Sequence, residues 1–265
     1  MSGLRLSEIW IYPIKSMGGI RLNSAKVAGK GLEFDRRWML IDENNMFVTQ
    51  RKVTDLALFK LEMNPDSFTV QFKKESIQLP FYSALSSEPI RATIWDDSVD
   101  TIEVHKSYSN WFSDKLGFKC KLVSFPEGNA RLVDPQYAVN HDNVSLADGY
   151  PLLAIGKSSL GDLNQRLSTP VPMDRFRPNL VFTGGQPYEE DSWKEFTVGV
   201  NKFRGVKPCS RCVLTTIDQS TGEQGKEPLA TLATYRKRDN KIYFGQNVLS
   251  IDHYEIHEGD EIRLL

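Results

Sequence analysis

Ile90-Arg91-Ala92-Thr93-Ile94-Trp95, then Asp96-Asp97-Ser98, then Val99-Asp100-Thr101-Ile102-Glu103-Val104, shows in fifteen residues the pattern that runs through this chain. Two runs rich in β-branched residues flank three residues suited to a turn. Such side chains fit a pleated strand and are restricted in a helix, so the segment reads as a hairpin. The pattern recurs on both sides. Leu6-Ser7-Glu8-Ile9-Trp10-Ile11-Tyr12 is β-rich and stops at Pro13. Trp38-Met39-Leu40-Ile41-Asp42, the turn-like Glu43-Asn44-Asn45 and Met46-Phe47-Val48-Thr49 predict a second hairpin. Ser67-Phe68-Thr69-Val70-Gln71-Phe72 alternates with period two, as a half-buried strand does. Residues 107–116 carry a helical pattern, with Trp111, Phe112 and Leu116 on one face and Gly117 closing it.

Lys121-Leu122-Val123-Ser124-Phe125 reads as a strand, and the turn-rich Pro126-Glu127-Gly128-Asn129-Ala130 after it marks the expected domain boundary. Beyond it, residues 158–167 predict a helix with Leu160, Leu163 and Leu167 on one stripe and Ser158 or Ser159 as cap. Residues 180–183, 196–200, 213–217, 242–244 and 261–265 read as strands. Many short strands broken by turns predict a mainly β, α+β protein with a few helices, built as two barrel-like halves over residues 1–124 and 125–265.

The 265 residues are 40% hydrophobic and 25% charged, with 33 basic against 34 acidic side chains and a net charge of -1. That balance argues against a nucleic-acid or membrane partner for the whole molecule. The N-terminal residues lack a secretory pattern, and no run of eighteen apolar residues predicts a membrane span. Three cysteines make no disulfide framework, so a reducing, cytoplasmic setting is expected.

Four segments carry candidate chemistry. Lys207-Pro208-Cys209-Ser210-Arg211-Cys212 contains a C-x-x-C. It reads as half of a zinc site, a redox dithiol, an inert pair, or a single thiolate ligand to a cofactor metal. Zinc needs a second ligand pair, and only Cys120 remains. A redox dithiol needs a helix after the motif, whereas Val213-Leu214-Thr215-Thr216-Ile217 is strand-like. Arg211 and Lys207 would favour a thiolate, which suits a transition metal. Tyr12-Pro13-Ile14-Lys15-Ser16 offers an ammonium and a hydroxyl suited to a phosphate. Asp35-Arg36-Arg37-Trp38 adds two guanidiniums. In Arg175-Phe176-Arg177-Pro178-Asn179, alternation aims Arg175, Arg177 and Asn179 to one side if the segment is extended, and Pro178 favours that for Arg177.

Together with Val48-Thr49-Gln50-Arg51, Ile94-Trp95-Asp96-Asp97, Glu190-Asp191-Ser192-Trp193, Thr215-Thr216-Ile217-Asp218 and Glu227-Pro228-Leu229-Ala230-Thr231-Leu232, these segments resemble, in order and over nearly the whole chain, the MOSC family in its two-part form. Its amidoxime-reducing members are similar in pattern. The resemblance implies a molybdenum cofactor, a pterin dithiolene with a phosphate, whose metal takes the second cysteine of the motif, here Cys212. It implies a cofactor shell of Lys15, Ser16, Arg36, Arg177, Asn179, Ser210 and Arg211. Where relatives often carry small hydroxyl residues, this chain has Gly149 and Tyr150, so contact there is expected through backbone. The implied activity is reduction of N-hydroxylated small molecules, with electrons from a separate donor protein, because no ferredoxin-type cysteine set is present. The alternative is a molybdenum-cofactor carrier or sulfur-transfer module. A third reading is a β-barrel that binds another anionic ligand.

Overall fold

The structure, a computed structural model, describes residues 3–82 and 88–265. It is mainly β: nineteen strands in four sheets, with three α-helices, α1 (Lys106–Leu116), α2 (Lys157–Arg166) and α3 (Leu229–Tyr235), among the described residues. No helix among them is long and apolar enough to cross a membrane.

The opening hairpin forms, with a shifted turn. Strands Ile90–Ile94 and Asp97–Glu103 pair from Ile94↔Asp97 onward, so the loop is Trp95-Asp96 and Trp95 is not part of a strand. Trp95 takes a φ of +54°, the left-handed value that a tight hairpin demands at its first loop position and that glycine normally supplies. Strand Ser67–Phe72 alternates as read, burying Phe68, Val70 and Phe72 between neighbours Phe59–Met63 and Glu75–Pro80. The second expected hairpin is partial. Trp38–Ile41 pairs along its length with Lys121–Ser124, while residues 46–49 form no strand and give a bridge from Ile41 to Phe47, bonds from Asp42 N to the Met46 carbonyl and from Val48 N to the Leu40 carbonyl, and a bridge from Met46 to Thr93.

The largest sheet joins sequence-distant strands in the order Ile262–Leu264, Glu195–Val198, Asn201–Arg211, Lys241–Ser250, Leu152–Gly156, Leu180–Thr183, Arg5–Ile11, Ile20–Leu22, with Lys237–Arg238 also paired to Lys241–Ser250. Leu152–Gly156 and Leu180–Thr183 run parallel, joined through α2, and are buried almost throughout, as parallel strands covered on both faces are. The first strand of the chain thus belongs to a sheet made mostly of the C-terminal half. One apolar core runs through both halves, including Ile9 and Ile11, Phe59 and Phe68, Phe182 and Phe196.

Several local expectations are corrected. α1 begins after His105, whose Nδ1 accepts from Ser107 N, and ends at Gly117 with φ +74° as read. α2 has no serine cap: its N-cap is Gly156, because the Ser159 hydroxyl donates to the buried Glu190 carboxylate and Ser158 to the Gln186 carbonyl. The strand at 196–200 ends at Val198, where Gly199 and Val200 turn the chain into Asn201–Arg211. Residues 213–217 are no strand but a 3-10 turn, Val213–Thr216. The Thr215 and Thr216 hydroxyls donate to the carbonyls of Cys212 and Val213, three residues back, and this local bonding defeats the β propensity of the sequence.

Candidate active site

A cavity of about 420 Å³ is lined by Lys15, Ser16, Arg36, Tyr150, Arg177, Asn179, Ser210, Arg211 and Cys212, the whole set singled out in the sequence. It is also lined by Thr49, Arg51, Trp95, Asp148 and Lys207.

The loops that deliver these residues are zipped together by backbone bonds. Lys15 N donates to the Trp38 carbonyl, Arg36 N to that of Tyr12, and Leu146 N to that of Arg36. Buried Arg131 closes the third loop, donating to the carbonyls of Ser145, Ala147 and Asp148. Three of the cationic or polar lining residues sit in left-handed backbone: Ser16 at φ +68°, Arg36 at +49° and Arg177 at +55°. Strain of this kind persists only where the surroundings over-determine it, and it concentrates at functional sites. Arg177 is therefore not extended. Met173–Arg175 is a 3-10 turn, so alternation does not operate, and Arg175 turns away to Asp218 at 2.7 Å.

Two guanidiniums hold one phenol between them. Arg36 and Arg177 lie 4.3 and 4.2 Å from the centroid of the buried Tyr12 ring. Arg36 is fixed further by Asp35, at 2.6 and 2.8 Å, and by the Asn179 Oδ1 at 3.1 Å. Asn179 also accepts from Leu153 N and donates to the Trp10 carbonyl, so its amide is engaged inside the protein and acts by orienting Arg36. Burial, and after it the Arg36 charge, push the Arg177 guanidinium down to about 10.

Lys15 enters the interior and donates to the Leu146 carbonyl at 2.7 Å and to Asp148 at 2.5 Å. Burial pushes its ammonium down to about 8 against the pull of Asp148. Burial raises the Asp148 carboxyl in turn, but Lys15 and Arg51 overcome that and hold it well below the usual carboxylate range. The Asp148 side chain remains 55% exposed, so solvent screens these pairings and they orient more than they stabilise.

The two cysteines differ. Cys209 lies where Asn201–Arg211 slips register against Lys241–Ser250, opposite the two residues Phe244 and Gly245, and it packs on the cluster containing Phe176 and Phe244. Its sulfur accepts from Arg211 Nη1 at 3.0 Å. Cys212 follows the strand, and its sulfur accepts from Arg51 Nε at 3.1 Å. The guanidinium beside Cys212 is therefore Arg51, not Arg211, and Lys207 instead lies over the rings of Tyr137 and Tyr150. Among the described residues no group of three or more His, Cys, Asp or Glu side chains converges, so the zinc reading finds no second pair.

The donor set suits a large anionic group with one soft-ligand position. Six cationic side chains line the cavity against one acid, in a chain whose net charge is -1. Arg211 Nε and Tyr150 Oη are buried without a hydrogen-bond partner, and buried polar groups of that kind ordinarily have one. Sequence reasoning had not singled out Arg51, Trp95 or Asp148 as site residues. The first two lie in segments carrying the family resemblance, whereas Asp148 has no motif around it and is placed by distant side chains, Arg131, Lys15 and Arg51.

Fold and cavity define a mainly β protein with a basic pocket whose wall holds Cys209 and Cys212. Residues 3–119 match the MOSC N-terminal beta barrel domain and residues 141–263 the MOSC domain. The chain belongs to the MOSC family. It is 33% identical to the mitochondrial amidoxime-reducing component 1 of Mus musculus and 31% identical to that of Homo sapiens, covering 98% of this chain and 82% of each relative. It is 31% identical to the molybdenum cofactor sulfurase of Oryza sativa subsp. japonica over 98% of this chain, but spans only 34% of that protein.

Proposed function

We propose that this protein holds a molybdenum cofactor in the cavity, with Cys212 as the metal's thiolate ligand, and reduces N-hydroxylated small molecules in the cytoplasm using electrons from a separate donor protein. The observation that carries the reading is the pairing of a thiol in the cavity wall, Cys212, with a cationic wall that retains an unpartnered buried donor, Arg211 Nε. Kinship with the amidoxime-reducing components supplies the substrate class. When bound, the cofactor supplies the two-electron chemistry of N–O cleavage, in which R–NH–OH takes up two electrons and two protons and yields R–NH2 and water.

The protein's own residues bind and orient. Lys15, Arg36, Arg177 and Arg211 would neutralise the phosphate and pterin, and Ser16, Ser210 and Tyr150 would offer hydroxyls. Lys15 uses two of its three N–H donors internally and keeps one for a ligand. Asn179 and Tyr12 fix the directions of Arg36 and Arg177. A second reading, a cofactor carrier or sulfur-transfer module, rests on the alignment of this whole chain with a third of the rice sulfurase.

Expression in a host that makes the cofactor tests the ligand. Molybdenum and pterin are expected in the wild type and in Cys209→Ala, and metal is expected to be lost in Cys212→Ala. Equal metal in both variants sinks the assignment. The loaded protein, chemically reduced, is expected to convert an N-hydroxylated base to the parent base. No product with any reductant favours the carrier.

A further inference from the structure

We propose that Trp95, at the tip of the N-terminal hairpin, is a specificity-determining residue that selects planar aromatic N-hydroxylated substrates over small aliphatic ones. The inference rests on the reductase reading above and deepens it.

Trp95 suits its position poorly by local rules. It occupies the first position of a two-residue hairpin loop at φ +54°, where glycine is the ordinary choice. It is also 44% exposed, although it is the largest side chain available. Strained backbone and exposed aromatic surface both oppose stability, and here they coincide on a residue that lines the cavity.

The surroundings hold the indole in place. The Arg51 guanidinium lies 4.4 Å from its ring centroid, and the Phe47 ring meets it edge-on at 4.9 Å. The same Arg51 donates to the Asp148 carboxylate at 3.0 Å. One residue past the loop, Asp97 pairs at 2.7 Å with Arg131, the side chain that clamps the loop carrying Asp148. The hairpin tip is therefore fastened to the cavity wall. Arg51 joins the two ends of the arrangement, with one side on the indole and its Nε on the Cys212 sulfur.

The chemical consequence follows from what else lines the pocket. Of the other apolar side chains in the lining, Leu152, Leu153 and Phe176 are buried and present little surface, and most of the rest are cationic or polar and suit an anionic group. An indole at the wall, one guanidinium away from the Cys212 sulfur, supplies an apolar planar surface. A planar ring gains from packing on it, and a methyl group gains little. The N-terminal half would thus choose the substrate while the C-terminal half supplies the thiol.

A matched pair of compounds tests this. Benzamidoxime and acetamidoxime share the reducible group and differ in the ring. Their dissociation constants, measured by equilibrium dialysis on cofactor-loaded, unreduced protein, are expected to favour benzamidoxime in the wild type. The preference is expected to fall about tenfold in Trp95→Leu and in Trp95→Gly and to survive largely in Trp95→Phe. Trp95→Gly separates function from folding, because glycine relieves the backbone and the variant is expected to melt within a few degrees of the wild type while losing the preference. A wild type that binds both compounds alike, or variants that keep the wild-type preference, overturn the proposal. Turnover after reduction is measured on the same samples. Binding preference without turnover contradicts the reductase reading and leaves the role of Trp95 standing, whereas turnover without preference does the opposite.

Discussion

Lys15 carries an ammonium into the interior, 6% exposed, where burial lowers it to about 8 from an ordinary 10.5. The sign of the linkage follows. Between about pH 8 and 10.5 the unfolded chain binds a proton at this site that the folded chain has released, so the contribution of Lys15 to stability rises with pH across that window. Below about 8 the folded protein bears the full burial cost of the charge. A bound anion needs that charge, so ligand affinity runs the other way. Inorganic phosphate, titrated calorimetrically into cofactor-free protein, is expected to bind about tenfold more weakly at about pH 9.5 than at about pH 7.5. In Lys15→Met binding is weak at both and the dependence flattens. A wild-type profile as flat as the variant's would remove Lys15 from the anion site. At this scale the sequence was informative because residue chemistry travels with the residue: an ammonium, a guanidinium and a thiol are legible wherever they stand. The partners were not. Arg51, rather than the adjacent Arg211, reaches Cys212 across 161 positions of sequence.

The element that presents Cys212 is a strand that stops. Asn201–Arg211 slips register at Cys209, ends at Arg211 and gives way to the 3-10 turn Val213–Thr216. β-branched residues at 213–217 favour a strand, but a strand needs a ladder partner. The threonine hydroxyls meet backbone carbonyls locally instead, Thr216 that of Val213 at 2.7 Å. Thr216 is buried and does not line the cavity. Thr216→Val keeps the shape and removes the bond, leaving the partly buried Val213 carbonyl less well satisfied. It is expected to cost about 1 kcal/mol and to lower the melting temperature by about 2–4 °C with phosphate binding unchanged. An unchanged melting temperature would show that the turn is held by its neighbours alone. The hairpin at 90–103 teaches the same lesson in the other direction. Its two strands were plain from their β-branched runs, but the turn was misplaced because aspartates and serine advertise a turn more strongly than tryptophan does. The pairing Ile94↔Asp97 put the turn on Trp95.

For the molecule as a whole, the first strand is the connection that matters. Arg5–Ile11 lies between Leu180–Thr183 and Ile20–Leu22, with Ile9 and Ile11 fully buried, so the core is shared by both ends of the chain. A fragment restricted to the residues that match the MOSC domain, 141–263, leaves the edge of Leu180–Thr183 unpaired and its apolar face open. Such a fragment is expected to aggregate or to associate in size-exclusion chromatography. A monomer with a cooperative thermal transition would show that the two halves fold independently.

The sequence by itself determined the class of the fold and the chemistry available to the site. Alternation, turn residues and charge are local properties, and they sufficed for a mainly β protein with a thiol and a set of cations. Only the tertiary structure decided which of those groups meet. The direction of each side chain depends on loops closed by distant carbonyls and on left-handed backbone at Ser16, Arg36, Trp95 and Arg177, where local propensity points elsewhere and packing overrules it.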